Sequence, residues 1–182
     1  MPYPQTDRLD QRISTLLDFS RPFEPQVRIV DVATIVESVR AAAESQARRE
    51  HKQIRAEVPE APVRARVDPD YLEEALLELT ANALRMISQG GNVTLGLEAH
   101  EGVAILRVSD DGPGIPPGVR SRIFELFFTT RDEGTGMGLS MVKRLVETLG
   151  GRVSLESSGE DGTTFRIEIP LEDRTGRAAG PS

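Results

Sequence analysis

Apolar and polar positions along this chain follow two periods, and the switches between them mark out its elements. Over 7–20, Leu9, Ile13, Leu16 and Leu17 recur at helical spacing, with Phe19 behind them. Pro22 ends that helix, and a helix so short must dock on something. Two dockings fit it: on the same domain, or as the end of a longer helical hairpin. Residues 22–26 read as a linker and 27–30 as a short strand. Asp31 can cap a helix that carries Val32, Ile35, Val36, Val39, Ala42 and Ala43 and runs to about Arg49. Alternation of period two predicts strands at 53–58 and 63–67, with Pro59 to Pro62 between them.

Asp68-Pro69 opens the next helix, acid at the cap and proline in the first turn, and it runs to about Ser88. Leu72, Ala75, Leu76, Leu79, Ala83 and Met86 make its apolar stripe, widened by Leu77 and Leu84. On this mostly covered helix Glu74, Glu78, Asn82 and Arg85 line up along one side. Residues 93–100 and 103–109 form a hairpin around Glu101-Gly102. A glycine-rich loop reaches about Gly136, a helix covers 137–149, and a last hairpin pairs 152–156 with 164–169. Three domain helices and six or seven strands predict an α+β fold. It is a two-layer sandwich with helices on one face of a mixed, mostly antiparallel sheet. The expected organisation is an N-terminal helix in 1–22, a domain over 23–170 and a disordered tail over 171–182.

The chain has 182 residues, a net charge of −7, no cysteine and no tryptophan. The length suits one domain with an appendage. The acidic balance argues against a nucleic-acid partner, since such proteins carry a basic face. Without cysteine there is no disulfide and no thiolate metal site, which suits a cytoplasmic location. No apolar run is long enough to span a bilayer, and no membrane contact is expected.

The chemistry concentrates in four stretches. Asn82 offers an amide oxygen suited to a hard cation such as Mg²⁺. Glu78, one turn earlier, could orient or deprotonate an attacking group, and Arg85 could meet a phosphate. Asp110-Asp111-Gly112-Pro113-Gly114 follows an apolar strand. There the Asp110 carboxylate could accept from the amino group of adenine and would repel the carbonyl of guanine. Asp111 reads as a turn residue, while Gly112 and Gly114 permit close approach. Gly134-Thr135-Gly136-Met137-Gly138-Leu139 opens a helix whose backbone N–H groups can hold phosphate, although no lysine of a phosphate loop follows. Phe124, Phe127 and Phe128 cluster before it, at least two of them as core packing, the cluster also serving as apolar anchors for a lid.

In this order the four stretches resemble the ATP-binding catalytic domain of bacterial sensor histidine kinases, of the superfamily shared with gyrase, Hsp90 and MutL. Glu78-Leu79-Thr80-Ala81-Asn82-Ala83 resembles the N box and Asp110 to Gly114 the G1 box. Phe124 to Thr130 resembles the F box, Gly134 to Leu139 the G2 box, and Gly162-Thr163-Thr164-Phe165 the closing strand. The resemblance implies the histidine kinase ATPase (Bergerat) fold, with ATP and Mg²⁺ as cofactors. Asn82, with Glu78, would hold Mg²⁺, Asp110 would read adenine, and Arg85 and Arg131 would lie near the phosphates. Gly112, Gly114, Ile115, Phe128, Thr130, Gly134, Thr135, Gly136, Met137, Gly138, Leu139 and Thr163 would complete the nucleotide site. Residues 116–136 would form a short ATP lid. Residue 78 is often Asn in these kinases; Glu is what the gyrase and Hsp90 branch uses to activate water.

The implied activity is transfer of the ATP γ-phosphoryl group to a histidine on an acceptor helix. Residues 8–22 resemble the end of the second helix of the dimerising acceptor hairpin, whose first helix is expected outside this chain. The partners would be that hairpin and, through the whole kinase, a response regulator. The chain's two histidines, His51 and His100, read as surface residues. With the hairpin incomplete, a monomer or weak dimer is expected. Two other readings stay open: a regulatory module such as an anti-sigma-factor-like serine kinase, and a free-standing ATPase using Glu78.

Overall fold

Two aspartates start the two long helices in the same way, and both also tie the chain together. In the computed structural model, which describes residues 24–131 and 134–172, strand β1 (Arg28–Asp31) runs directly into helix α1 (Val32–Arg49). The Asp31 carboxylate accepts from Ala33 N–H at 3.1 Å as the cap and from Val63 N–H, also at 3.1 Å, which fixes the loop beyond β2 (Gln53–Glu57). Asp68 follows β3 (Arg64–Val67) and caps α2 (Pro69–Met86) by accepting from Asp70 and Tyr71; its other oxygen accepts from Gln26 N–H at 2.6 Å. Capping of this kind is worth about 1 kcal/mol per helix, and here each cap also closes a long-range contact.

Next come β4 (Asn92–His100), β5 (Val103–Asp110), a 3-10 turn (Pro117–Arg122), α3 (Gly138–Thr148), β6 (Arg152–Gly159) and β7 (Gly162–Pro170). Five strands make one sheet in the order β2-β4-β5-β7-β6, with β2 parallel to β4 and the other neighbours antiparallel. β1 and β3 pair antiparallel in a separate two-stranded sheet. The expected sandwich is present, with its strands divided between two sheets. The two runs flanking Pro59 to Pro62 belong to different sheets, because Val63 is drawn to the start of α1 rather than back along β2.

The core lies between the five-stranded sheet and the three helices. Val93, Leu95 and Leu97, then Ala104, Leu106 and Val108, then Phe165, Ile167 and Ile169 alternate inward from β4, β5 and β7. They meet Val36 and Val39 of α1, Leu72, Leu76 and Leu79 of α2, and Val142, Leu145 and Val146 of α3. The opposite face carries a charge ladder: Arg107 bonds Glu98 and Glu156, and Arg166 bonds Glu156 and Glu168. Met86, expected in the apolar stripe of α2, is instead 42% exposed, since it sits on the last turn where the helix passes the edge of the core.

The helix expected over 7–20 lies outside the described residues, as does the chain beyond Glu172. Leu171 and Glu172, assigned by sequence to the tail, are paired: their N–H groups donate to Gly102 O and Arg64 O, and Leu171 bridges Ala65. No helix among the described residues is long and apolar enough to cross a membrane.

Candidate nucleotide site

A pocket lies at the ends of α2 and β5, roofed by the stretch from Gly114 to Arg131 and bordered by the start of α3. One helix supplies much of its floor. Glu78, Asn82, Ala83, Arg85 and Met86 of α2 all line it, whereas Glu74, on the same side of the helix, does not. At 1.5 Å per residue, Glu78 and Met86 lie about 12 Å apart along the axis, so the pocket is long and has two chemically distinct ends.

At the end near Met86 stands Asp110, the last residue of β5, buried to 9% exposure. Its carboxylate accepts from Gly112 N–H at 2.9 Å, and Asp110 pairs with Thr163 across the β5–β7 ladder, whose backbone N–H also favours the charged form. Burial pushes this carboxyl above its ordinary value; the two N–H groups offset part of the rise, and the charge of Asp111 adds to it. Gly112 does not line the pocket but makes Asp110 possible, since a Cβ there would lie 2.8 Å from Asp110 Oδ1 and 3.3 Å from Met86 O. Ile115, Val119, Ile123 and Phe165 supply apolar wall, a surface suited to a flat ring.

Asp111 turns away from the pocket. Its two carboxylate oxygens accept from the backbone and side-chain N–H groups of Asn92, both at 2.8 Å. Desolvation pushes this group up, but the Asn92 bonds outweigh it and hold Asp111 below the ordinary carboxylate range. The turn role read for it from sequence thus becomes a clasp between the glycine turn and β4.

The other end is polar. Asn82 Oδ1 accepts from Arg85 at 2.6 Å. Burial lowers the Arg85 pKa, and Arg131 of the lid stands near enough to lower it further. Gly138, the first residue of α3, faces Glu78 and Asn82: a Cβ there would lie 2.8 Å from Glu78 Oε2 and 3.7 Å from Asn82 Nδ2. The start of α3 carries no side-chain cap, so its first N–H groups point outward unbonded by one. Hard oxygens, two guanidinium groups and a bare helix N-terminus form a setting for phosphate and a divalent cation. The Glu78 carboxylate and the Asn82 amide, side by side at the start of α3, are oxygen donors of the type that such an ion takes.

Of the residues singled out by sequence, Ile115, Phe128, Thr130, Arg131, Thr135, Gly136, Leu139, Gly114 and Thr163 also line the pocket. Gly134 does not; it lies against Thr129 in the lid. Met137 is buried at 4% exposure and does not line the pocket. Phe124 and Phe128 pack on the core, Phe124 edge-on to Phe165 at 6.1 Å, while Phe127 is 46% exposed with φ +65°. Gly136 (φ +68°) passes so close to the Phe127 carbonyl that a Cβ would come within 2.3 Å of its carbon, which sets the last residue of the lid against its middle. His51 and His100 are exposed and lie outside the pocket.

Sequence reading missed Ala83, Met86, Val119, Ile123, Thr129 and Phe165 as pocket residues. Met86 was findable, four residues after Asn82 on the same side of the helix. Val119 and Ile123 also repeat at i and i+4, within the segment read as the lid.

Such a pocket, between a polar helix, a buried aspartate at a strand end and a glycine-rich helix start, defines an ATP-binding protein of the GHKL type. The chain belongs to the histidine kinase-, DNA gyrase B-, and HSP90-like ATPase family, which it matches over residues 67–173. Its relatives within that family are sensor histidine kinases. It is 33% identical to ZraS of Escherichia coli K12 over 92% of its length, and 31% identical to FixL of Bradyrhizobium diazoefficiens over 93%. It spans about a third of those proteins, 36% and 34% respectively. Among solved structures, full-length ShkA in complex with AMPPNP superposes with a TM-score of 0.79 at 29% identity, over 91% of this chain and 36% of ShkA. The catalytic domain of the histidine kinase ThkA superposes with a TM-score of 0.73 at 26% identity, over 80% of this chain and 95% of that domain. The fold is that of a histidine kinase catalytic domain.

Proposed function

We propose that this domain binds ATP with Mg²⁺ and passes the γ-phosphoryl group to a histidine on an acceptor hairpin of a longer kinase. The observation that carries the reading is the polarity of one pocket. Asp110 stands among apolar side chains at one end, and Glu78, Asn82, Arg85 and Arg131 stand at the other. Adenine would set its amino group on Asp110, its ring against Ile115 and Ile123, and its phosphates toward Arg85, Arg131 and the start of α3. Asn82, with Glu78 beside it, would hold Mg²⁺, whose contribution is to neutralise charge on the phosphates. For that, Arg85 must release the Asn82 oxygen and turn to phosphate, a change of partner that leaves its charge satisfied.

Phosphoryl transfer is mainly positioning and charge neutralisation, so the domain needs no nucleophile of its own. The acceptor imidazole would come from the hairpin, and a response regulator would then take the phosphoryl group. Support for that sequel comes from ThkA, solved in complex with the response regulator protein TrrA. A cytoplasmic location follows from the use of ATP.

The test is incubation of the chain with Mg²⁺ and γ-labelled ATP, following bound nucleotide, label on protein and free phosphate together. Binding that depends on Mg²⁺, with no acid-labile protein label, is the expected result. Failure to bind ATP would refute the proposal, and an acid-labile, alkali-stable label would move the acceptor to His51 or His100. A second reading, ATP hydrolysis by the domain alone, is favoured by the position of the Glu78 carboxylate at Gly138. Steady phosphate release that disappears in Glu78→Ala would establish it.

A further inference from the structure

The peptide of Ile115 is gripped on both sides by residues that do not themselves line the pocket. Its N–H donates to Ser158 Oγ at 2.6 Å, and its carbonyl accepts from Arg120 Nε at 2.8 Å. The same guanidinium reaches on to Ser158 O at 2.6 Å. Arg120 therefore closes a ring: the lid turn, the Ile115 peptide and the end of β6 are bonded to one another through two side chains. Among the described residues the acceptors of this half-buried cation are two neutral carbonyls.

The ring continues toward the base end of the site. Ser158 Oγ stands 3.4 Å from Thr163 Oγ1, and Thr163 lines the pocket and pairs with Asp110 across the β5–β7 ladder. One residue before Ile115, Gly114 (φ +75°) lies so close to the β6–β7 turn that a Cβ would meet Gly159 O at 2.2 Å. That turn is thus pressed against the glycine turn, with the Arg120–Ser158 ring as its fastening. A serine hydroxyl suits the position because it accepts from Ile115 and still has a hydrogen for Thr163.

We propose that Ser158 and Arg120 are positioning residues for nucleotide binding, holding Ile115 and Thr163 as a preformed wall beside Asp110. The inference rests on the reading of the pocket as an ATP site. Its physical basis is preorganisation. With the clamp in place the wall is ordered before the nucleotide arrives; without it, only the fraction of molecules with a correctly placed wall binds, and apparent affinity falls by that fraction.

The experiment is calorimetric titration of the chain with Mg²⁺ and ADP, in the wild type and in Ser158→Ala, Ser158→Thr, Arg120→Ala and the Ser158→Ala/Arg120→Ala double variant. Ser158→Ala should weaken ADP by about tenfold, the size expected from one hydrogen bond that sets a loop. Ser158→Thr, which keeps the hydroxyl oxygen, should restore it. The double variant should be little worse than the worse single one, because both releases free the backbone of the same residue, Ile115. Wild-type affinity in Ser158→Ala, or fully additive losses in the double variant, would overturn the clamp and leave the ATP reading intact. No ADP binding by the wild type would overturn both. Arg120→Ala carries the test if Ser158→Ala fails to fold; unchanged ADP affinity there also overturns the clamp.

Discussion

Asp110→Asn is the substitution that separates base recognition from folding. The side chains are isosteric, so the carbonyl oxygen of the introduced amide can still accept from Gly112 N–H, the 2.9 Å bond of the wild type. What changes is the other end of the group. An amide –NH₂ now faces the place where the adenine amino group would donate, so donor meets donor. Hydrogen bonds to a charged acceptor are worth about 1.5–3 kcal/mol, which converts to an ADP affinity about 10-fold to 150-fold weaker. On stability, relief of a buried charge and loss of the support that nearby backbone N–H groups give that charge oppose each other, and the net change should stay below about 2 kcal/mol.

The pH dependence follows from the direction of the shift. Burial raises the Asp110 pKa above its ordinary value of 3.8, so protonation in the folded protein begins at a higher pH than in an exposed carboxylate. Only the ionised form accepts on both oxygens, from Gly112 N–H on one and from the adenine amino group on the other, so wild-type affinity should fall on acidification before exposed carboxylates titrate. The folded state also binds this proton more tightly than the unfolded chain. The charge therefore costs stability above the raised folded pKa, and that cost disappears as pH falls to 3.8 and below. The assay is calorimetry with ADP across the acidic range, for wild type and variant side by side; protonation of the ligand appears in both and cancels in their ratio. Equal ADP affinity of the two proteins at neutral pH, or a ratio that does not narrow on acidification, would refute the assignment of Asp110.

Gly138→Ala should leave the fold intact or add up to about 1 kcal/mol through helix propensity. The Cβ, 2.8 Å from Glu78 Oε2, should displace that flexible carboxylate and weaken Mg²⁺-ATP binding; urea melts and calorimetry on one sample would check both halves. Leu145→Ala, at a fully buried position of α3, should cost about 2–5 kcal/mol in urea unfolding, by lost transfer energy and the cavity left behind.

The sequence by itself determined the elements and the chemistry. Capping aspartates ahead of apolar periods, Asp31 and Asp68, placed the helix starts, because a cap and its helix are adjacent in the chain. The alternation in 93–100, 103–109 and 164–169 placed three central strands, because a sheet buried on one face imposes period two. Asn82, Asp110 and the glycines stood out because their residue types contradict the apolar stretches around them. Pairing and closure were decided only by the tertiary structure. Nothing local says that β2 runs parallel to β4 while β3 leaves for a second sheet; that depends on Val63 being bound at the start of α1. The exposure of Met86 and Phe127 likewise depends on where the core ends, not on hydrophobicity. The clamp of Ser158 and Arg120 on Ile115 joins residues 38 and 43 positions apart through single hydrogen bonds, which leave no periodic signal in a sequence. Periodicity reports which face of an element is buried; which elements meet, and which side chains bridge them, is fixed only when the whole chain has packed.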